Sequence, residues 1–341
     1  MASDIFNRKQ EHLDICLTQD VSSRLTTGFE KLRFRHRALP GIDLSQVTTW
    51  TTFLDKPLGA PLLIGAMTGG TARGREINRN LAIAAQALKV GMVVGSQRIA
   101  IEHPEVAHTF AIAREEAPDI PLGANLGAIQ LVNGYGAKEC QKAVKMLQAD
   151  FLVLHLNALQ EAIQPRGQTN WGHVLPRIAE VIAKLGVPVV VKEVGFGISG
   201  EDARALREAG VAILDVSGAG GTSWALVEGY RHPDAMWKKV ALQFGNWGIP
   251  TVDCIRECRK AAPDVPLIAS GGIRNGIDVA KALALGASWC SVSGGILAAA
   301  SESADAVQEW LDSYMSELRL ALFAQGLQSV SELKPEHLVV G

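Results

Sequence analysis

The stretch VPLIASGGIRNGIDVAKALALGASWCSVSGG, residues 265–295, holds two short apolar runs, each closed by a glycine pair, with a helical segment between them. The runs are 265–269 and 287–292, and the pairs are Gly271-Gly272 and Gly294-Gly295. Residues 276–285, between them, space their apolar side chains as a helix does. Strand, turn, helix and strand in that order make a parallel βα unit.

The same unit recurs upstream. Apolar runs at 61–67, 92–95, 121–124, 151–156, 187–191 and 211–216 bring the number to eight. Helix-like segments at 76–89, 104–117, 138–149, 172–185, 201–209 and 252–262 fall between them. Eight such units predict a closed (β/α)8 TIM barrel within an α/β fold, and 341 residues suffice to build one. The third run is short and contains Gly123, so closure of the ring depends on it. Residues 1–60 lack the rhythm and are expected to form an N-terminal arm and cap. Residues 61–300 form the barrel and 301–341 a C-terminal helix and tail, with helical spacing over 303–325.

Composition narrows the partners. An apolar fraction of 48% suits strands covered on both faces. Lys and Arg number 33 against 35 acids, and no basic stripe stands out, so no nucleic acid is expected. Five cysteines, an odd number without a Cys-x-x-Cys, suggest neither disulfides nor zinc and fit a reducing cytoplasm. The opening MASDIFNRKQEHLD has no signal-peptide apolar stretch, and no run approaches the length that spans a bilayer, so no membrane partner is expected.

Barrels of this kind carry their chemistry at the C-terminal ends of the strands. In chain order those ends offer Thr68; Ser96, Gln97 and Arg98; Asn125; His155, Asn157, Gln160 and Glu161; Lys192; Ser217 and Thr222; Gly272 and Arg274; Ser293 and Gly294. The glycines after strands seven and eight suit a phosphate held by bare backbone N–H groups, or else simply make tight turns. Lys192 closes an apolar run and needs an anionic partner. A flavin edge, a Schiff base or a salt bridge to Glu193 would each serve. Gln160 is neutral at every pH and can position groups but not titrate. Glu161 is a hard-oxygen ligand suited to Mg²⁺ beside substrate phosphates, or a carboxylate favoured at a helix N-terminus. His155 is either catalytic or a satisfied core histidine. Arg8 and Lys9, near the terminus, are either solvated surface or a clamp for a diphosphate.

RKQEH at 8–12, GAMTGG at 65–70, GSQR at 95–98, GANLGA at 123–128, HLNALQEAIQPRG at 155–167, KEVGFGIS at 192–199, SGAGGTSWA at 217–225 and ASGGIRNG at 269–276 together resemble the type 2 isopentenyl-diphosphate isomerases. The resemblance runs from the arm to strand eight. It implies FMN along Ala66, Met67, Thr68, Ser96, Asn125, Lys192, Ser217 and Thr222, with its phosphate at Gly272, Ile273, Arg274, Ser293 and Gly294. It implies a small-molecule diphosphate substrate at Arg8, Lys9, Ser96, Gln97, Arg98, His155, Asn157 and Gln160. Gln160 and His155 become the expected catalytic residues, Glu161 the Mg²⁺ ligand and NADPH the reductant. A cytoplasmic homotetramer or homo-octamer is implied as well. The loop QPRGQTN departs from the family's pattern, which has acidic positions near Arg166 and Gln168.

Two rivals share the barrel. An FMN-dependent 2-hydroxyacid oxidase needs a histidine in the turn after strand six, where this chain has SGAGGTSW. A cysteine-nucleophile dehydrogenase needs a cysteine in a glycine loop, whereas Cys290 falls inside an apolar run. A non-catalytic flavin or phosphate sensor would leave Gln160 and Glu161 without a task.

Overall fold

The computed structural model describes residues 2–341. Eight parallel strands close into a barrel: β1 Leu62–Ile64, β2 Gly91–Val93, β3 Leu122–Gly127, β4 Phe151–Leu156, β5 Val189–Glu193, β6 Ile213–Asp215, β7 Leu267–Ala269 and β8 Trp289–Val292. Ring closure is made by β8 against β1, with Cys290, Ser291 and Val292 opposite Leu62, Leu63 and Ile64.

The period of two sorts each strand into two buried faces. Leu63, Val93, Phe151, Val153, Val190, Ile213 and Ile268 point inward and pack on one another. Leu62, Ile64, Met92, Leu152, Leu154, Val189, Val191, Leu214 and Leu267 belong to the larger core shared with the surrounding helices. Both sets are buried, which is why the strands read as unbroken apolar runs. The weak third run becomes the six-residue β3, which extends past the predicted boundary to include Asn125. Its glycine has a packing cause: a Cβ on Gly123 would come within 2.5 Å of the Phe151 ring.

Helices between the strands begin at side-chain caps. Thr71, Ser199, Asn275 and Ser303 accept the amides of Gly74, Asp202, Asp278 and Ala306.

The N-terminal sixty residues divide into three pieces. An arm helix, Ala2–Thr18, lies over the C-terminal rim and packs on a helix at Trp224–Arg231. An antiparallel hairpin, Thr51–Phe53 with Lys56–Leu58, adds Phe53 and Leu58 to the interior cluster and stops the other end of the barrel. Leu32–Phe34 pairs antiparallel with Leu338–Val340. Two helices between β6 and β7, Trp224–Arg231 and Ala235–Gln243, escaped the sequence reading. Ala225 through Gly229 are all buried, so the first of them shows no polar stripe. Among the described residues no helix is long and apolar enough to cross a membrane.

Candidate active site

Above the apolar inward layer the next inward positions turn polar: Asn125 on β3, His155 on β4, Lys192 on β5, Asp215 on β6, Ser270 after β7 and Ser291 on β8. All but Asp215 line a cavity of about 650 Å³ at the C-terminal rim. That volume lies in the range of small-molecule and cofactor sites.

Every residue expected to hold the flavin lines this cavity, from Ala66, Met67 and Thr68 round to Ser293 and Gly294. Gly272 adopts φ +72°, and a Cβ there would sit 2.5 Å from the Gly220 carbonyl, so only glycine permits this close turn beside Arg274. Arg274 donates to the Gly220 carbonyl at 2.9 Å, which holds the guanidinium across the turn. The Thr68 hydroxyl is buried in the cavity wall with no partner among the described residues. A polar floor, a cationic glycine cradle at one end and an unpaired hydroxyl in the wall fit a phosphorylated flavin.

Lys192 sits against Ser217 and its own chain. Its ammonium donates to Ser217 Oγ at 3.0 Å and to the Glu193 carbonyl at 2.6 Å. The Glu193 carboxylate is turned away into a backbone nest. One of its oxygens accepts the amides of Val194, Gly195, Phe196 and Gly197. Burial still lifts Glu193 to about 7 against the pull of those amides. The salt bridge from Lys192 to the Glu193 side chain is therefore not formed.

The arm helix supplies the opposite wall. Arg8, Lys9 and His12 all line the cavity, with Arg98 beside them. Position near the terminus alone favoured a solvated surface for Arg8 and Lys9. The structure instead lays the arm over the site. Lys9 donates to the Ser96 carbonyl at 3.1 Å and stands 5.4 Å from the Phe110 ring. Burial, then the neighbouring Arg8, brings Lys9 down to about 7. These cations form a concave patch fitted to an anion.

Gln97 does not line the cavity. It is fully buried, and its side chain donates to the Ala143 carbonyl at 2.9 Å and accepts the Asn125 amide at 2.9 Å. Its side chain props β3, because the chain turns into a helix at Arg98.

Gln160 is held at both ends of its side-chain amide. Its amide nitrogen donates to Glu228 at 2.9 Å, and its oxygen accepts Asn157 at 3.2 Å. The same Glu228 oxygen accepts His12 at 2.9 Å, and the other accepts Arg231 at 2.6 Å. Arg231 in turn binds Glu11 of the arm at 2.7 Å. Burial alone would raise Glu228, but His12, Gln160 and Arg231 hold it near 2. Gln160 thus stands on a permanent negative charge. Sequence reasoning missed Glu228 and His12. The available signal was an acid within the apolar run ALVEGY, which demands a buried partner.

Glu161 is buried beside Gln160. Its carboxylate accepts the Gln168 amide at 2.7 Å and the Asn157 side chain at 3.2 Å. Asn157 Oδ1, also buried, has no partner among the described residues. Among the described residues no group of three or more His, Cys, Asp or Glu gathers into a metal cage. His155 Nδ1 meets Asn125 Oδ1 at 2.8 Å. Asn125 uses its NH₂ on the Val94 carbonyl, so His155 is the donor and presents Nε2 as a lone pair. Burial, then Lys192 and Lys9, depresses His155 to about 3, so the ring is neutral.

Residues 123–340 match the family model of FMN-dependent dehydrogenases. Over 329 residues the chain is 50% identical to an isopentenyl-diphosphate delta-isomerase of Nostoc sp., covering 96% of this chain and 94% of the relative. It is 46% identical to the enzyme of that name in Rickettsia africae, covering 96% and 95%. Among solved structures, flavocytochrome b2 with sulfite bound aligns with TM-score 0.69 at 18% identity, covering 97% of this chain and 83% of that one. (S)-mandelate dehydrogenase aligns with TM-score 0.68 at 18% identity, covering 100% and 99%. Likeness at that identity speaks for the barrel alone.

Proposed function

The chain belongs to the isopentenyl-diphosphate delta-isomerases of the FMN-dependent dehydrogenase family, and from that premise we propose how its side chains move the double bond. Isopentenyl and dimethylallyl diphosphate differ only in where the double bond lies. One proton is added at the terminal methylene carbon and one is removed from the carbon next to the diphosphate-bearing carbon, with no net oxidation. Reduced FMN, when bound, supplies an electron-rich ring with an exchangeable proton, and NADPH is the proposed source of the reducing equivalents.

Arg8, Lys9 and Arg98 clamp the diphosphate and fix the alkene over the cavity floor. Glu161 would hold Mg²⁺, an ion commonly bound through one or two carboxylates together with phosphate ligands, which would offset the charge of the diphosphate. The unpaired Asn157 oxygen beside it offers a second hard donor. His155, neutral and oriented by Asn125, lines the cavity near the Lys192 end of the floor. Gln160 faces the reacting carbons with its amide pinned at both ends. Glu228 beneath it carries the negative charge that stabilises cationic character as the alkene is protonated. The arm helix covers the cavity and keeps out water, which would capture a tertiary cation.

The observation that carries this reading is the Asn157–Gln160–Glu228–His12 chain, which joins the turn after β4, the helix Trp224–Arg231 and the arm around one neutral amide. The test is anaerobic incubation with FMN, NADPH, Mg²⁺ and isopentenyl diphosphate, with each component omitted in turn. Dimethylallyl diphosphate is expected only when the flavin is reduced. Product formed without flavin would overturn the reading. We propose a cytoplasmic homotetramer or octamer; Tyr230, Met236, Leu242 and Trp247, in the segment after β6, are exposed large apolar side chains. Light scattering during gel filtration tests it.

A further inference from the structure

Glu193 does not line the cavity, although its neighbours Lys192 and Val194 do. Its side chain is buried, and a single oxygen, Oε2, gathers the amides of Val194 at 2.6 Å, Gly195 at 2.7 Å, Phe196 at 2.5 Å and Gly197 at 3.2 Å. Four amides converging on one atom need a chain that doubles back, and Gly195 and Gly197 allow it with φ of +133° and +90°. The turn is tied to its surroundings as well. The Phe196 carbonyl accepts the Ile249 amide at 2.8 Å, and the Gly197 amide donates to the Ser217 carbonyl at 3.0 Å.

The amide of Val194 links this nest to the cavity. Its N–H and the Glu193 carbonyl belong to one planar trans peptide and point to opposite sides of it. Drawing the N–H onto the carboxylate turns the carbonyl the other way, where it accepts the Lys192 ammonium at 2.6 Å. Ser217 Oγ accepts from the same ammonium at 3.0 Å. An ammonium has three N–H donors, so these two acceptors leave one for the cavity that Lys192 lines.

We propose that Glu193 is a positioning residue: its side-chain oxygen sets the 193–194 peptide so that the carbonyl aims the Lys192 ammonium at the bound flavin. The inference rests on the FMN reading above, with Lys192 at the flavin edge. What the nest needs is an acceptor atom at a fixed reach. A carboxyl or a carboxamide oxygen can supply the acceptor, whereas a side chain one methylene shorter withdraws it from the turn. An ammonium held beside the flavin favours the anionic reduced ring. Freed from its carbonyl, Lys192 holds that ring less well, and reduced FMN loses affinity relative to oxidised FMN.

The test is the ratio of reduced to oxidised FMN affinity, read as the midpoint potential of FMN on the full-length protein by dye equilibration. It compares wild type with Glu193→Asp, and Glu193→Gln with Glu193→Asn. Each pair is alike in charge and differs by one methylene, so a purely electrostatic role for Glu193 moves both members together. In each pair the shorter side chain is expected to lower the ratio at least tenfold, about 30 mV for a two-electron couple. With Lys192→Met added, the difference within each pair is expected to shrink to threefold or less. A difference smaller than tenfold within a pair that folds, or one that stays above threefold once Lys192→Met is added, would overturn the proposal. Should Glu193→Asp not fold, the glutamine and asparagine pair decides. Failure of both short variants to fold would assign the nest to folding alone and overturn the proposal. A wild-type protein that takes up no FMN would overturn this inference and the cofactor reading together, whereas normal uptake with no difference within the pairs removes this inference alone.

Discussion

Replacing Glu228 by glutamine should expose the pH dependence of this site's stability. The native carboxylate is fully buried and takes hydrogen bonds from His12, Gln160 and Arg231. Burial opposes ionisation, so those partners account for the whole depression from the ordinary 4.5 to about 2. A carboxylate depressed by folding contributes stability above its unfolded value and loses it as pH falls through its folded value. At about 1.4 kcal/mol per pH unit, the contribution is on the order of 3 kcal/mol. It should be complete at pH 7, fade below about pH 4.5 and vanish near pH 2. Glutamine preserves the shape and removes the charge. Urea unfolding followed by tryptophan fluorescence suits the measurement, because Trp224 meets the His12 ring edge-on at a centroid distance of 5.1 Å. Burial holds His12 below its ordinary value, so its charge does not add fully at pH 7; the wild type should exceed the variant by at most roughly 3 kcal/mol there, with the gap closing as the pH drops toward 3. A gap of constant size, or none at pH 7, would refute the argument that these partners hold the carboxylate ionised.

Three further outcomes follow from the geometry. Gln160→Ala should lower kcat by roughly 100-fold or more while the FMN dissociation constant changes less than twofold, read by single-turnover kinetics and flavin titration. Lys9, held near 7 by burial and Arg8, is charged below that pH and neutral above it, so KM for the diphosphate should climb as pH rises through 7; Lys9→Arg should flatten that limb, and an identical profile would remove Lys9 from the clamp. Glu161→Gln should shift the magnesium requirement by about tenfold or more at saturating substrate, and an unmoved titration would exclude the residue as a ligand.

The barrel was legible because burial on both faces writes each strand as an apolar run, and eight such runs admit few other arrangements. β3 was the hardest to read, since Phe151 occupies the space a side chain on Gly123 would need. The hairpin at 51–58 was hidden: its pattern is broken by Asp55, Lys56 and Pro57, although Phe53 and Leu58 end in the interior. Residues at strand ends could be placed at the rim from order alone, and the cavity gathers nearly all of them. Strand order does not say which way a residue faces once the chain leaves the sheet, and the Gln97 side chain turns to Ala143 and Asn125 rather than into the cavity. Glu228 was missed for a related reason. Its partners His12 and Gln160 lie 216 and 68 positions away, and only the folded rim brings the three together.

The pairing of Leu32–Phe34 with Leu338–Val340 bears on how the chain is made. At about 5–20 residues per second, roughly 15 to 60 s separate the synthesis of the first strand from that of its partner. During that interval the early strand presents an unpaired edge to anything extended in its vicinity. β1 waits similarly for β8, because the ring closes only through Cys290–Val292. The nascent protein therefore spends most of its translation as an open sheet with two unfinished edges, and the period of greatest exposure to chaperones and to mispairing ends only when its C-terminal segment emerges.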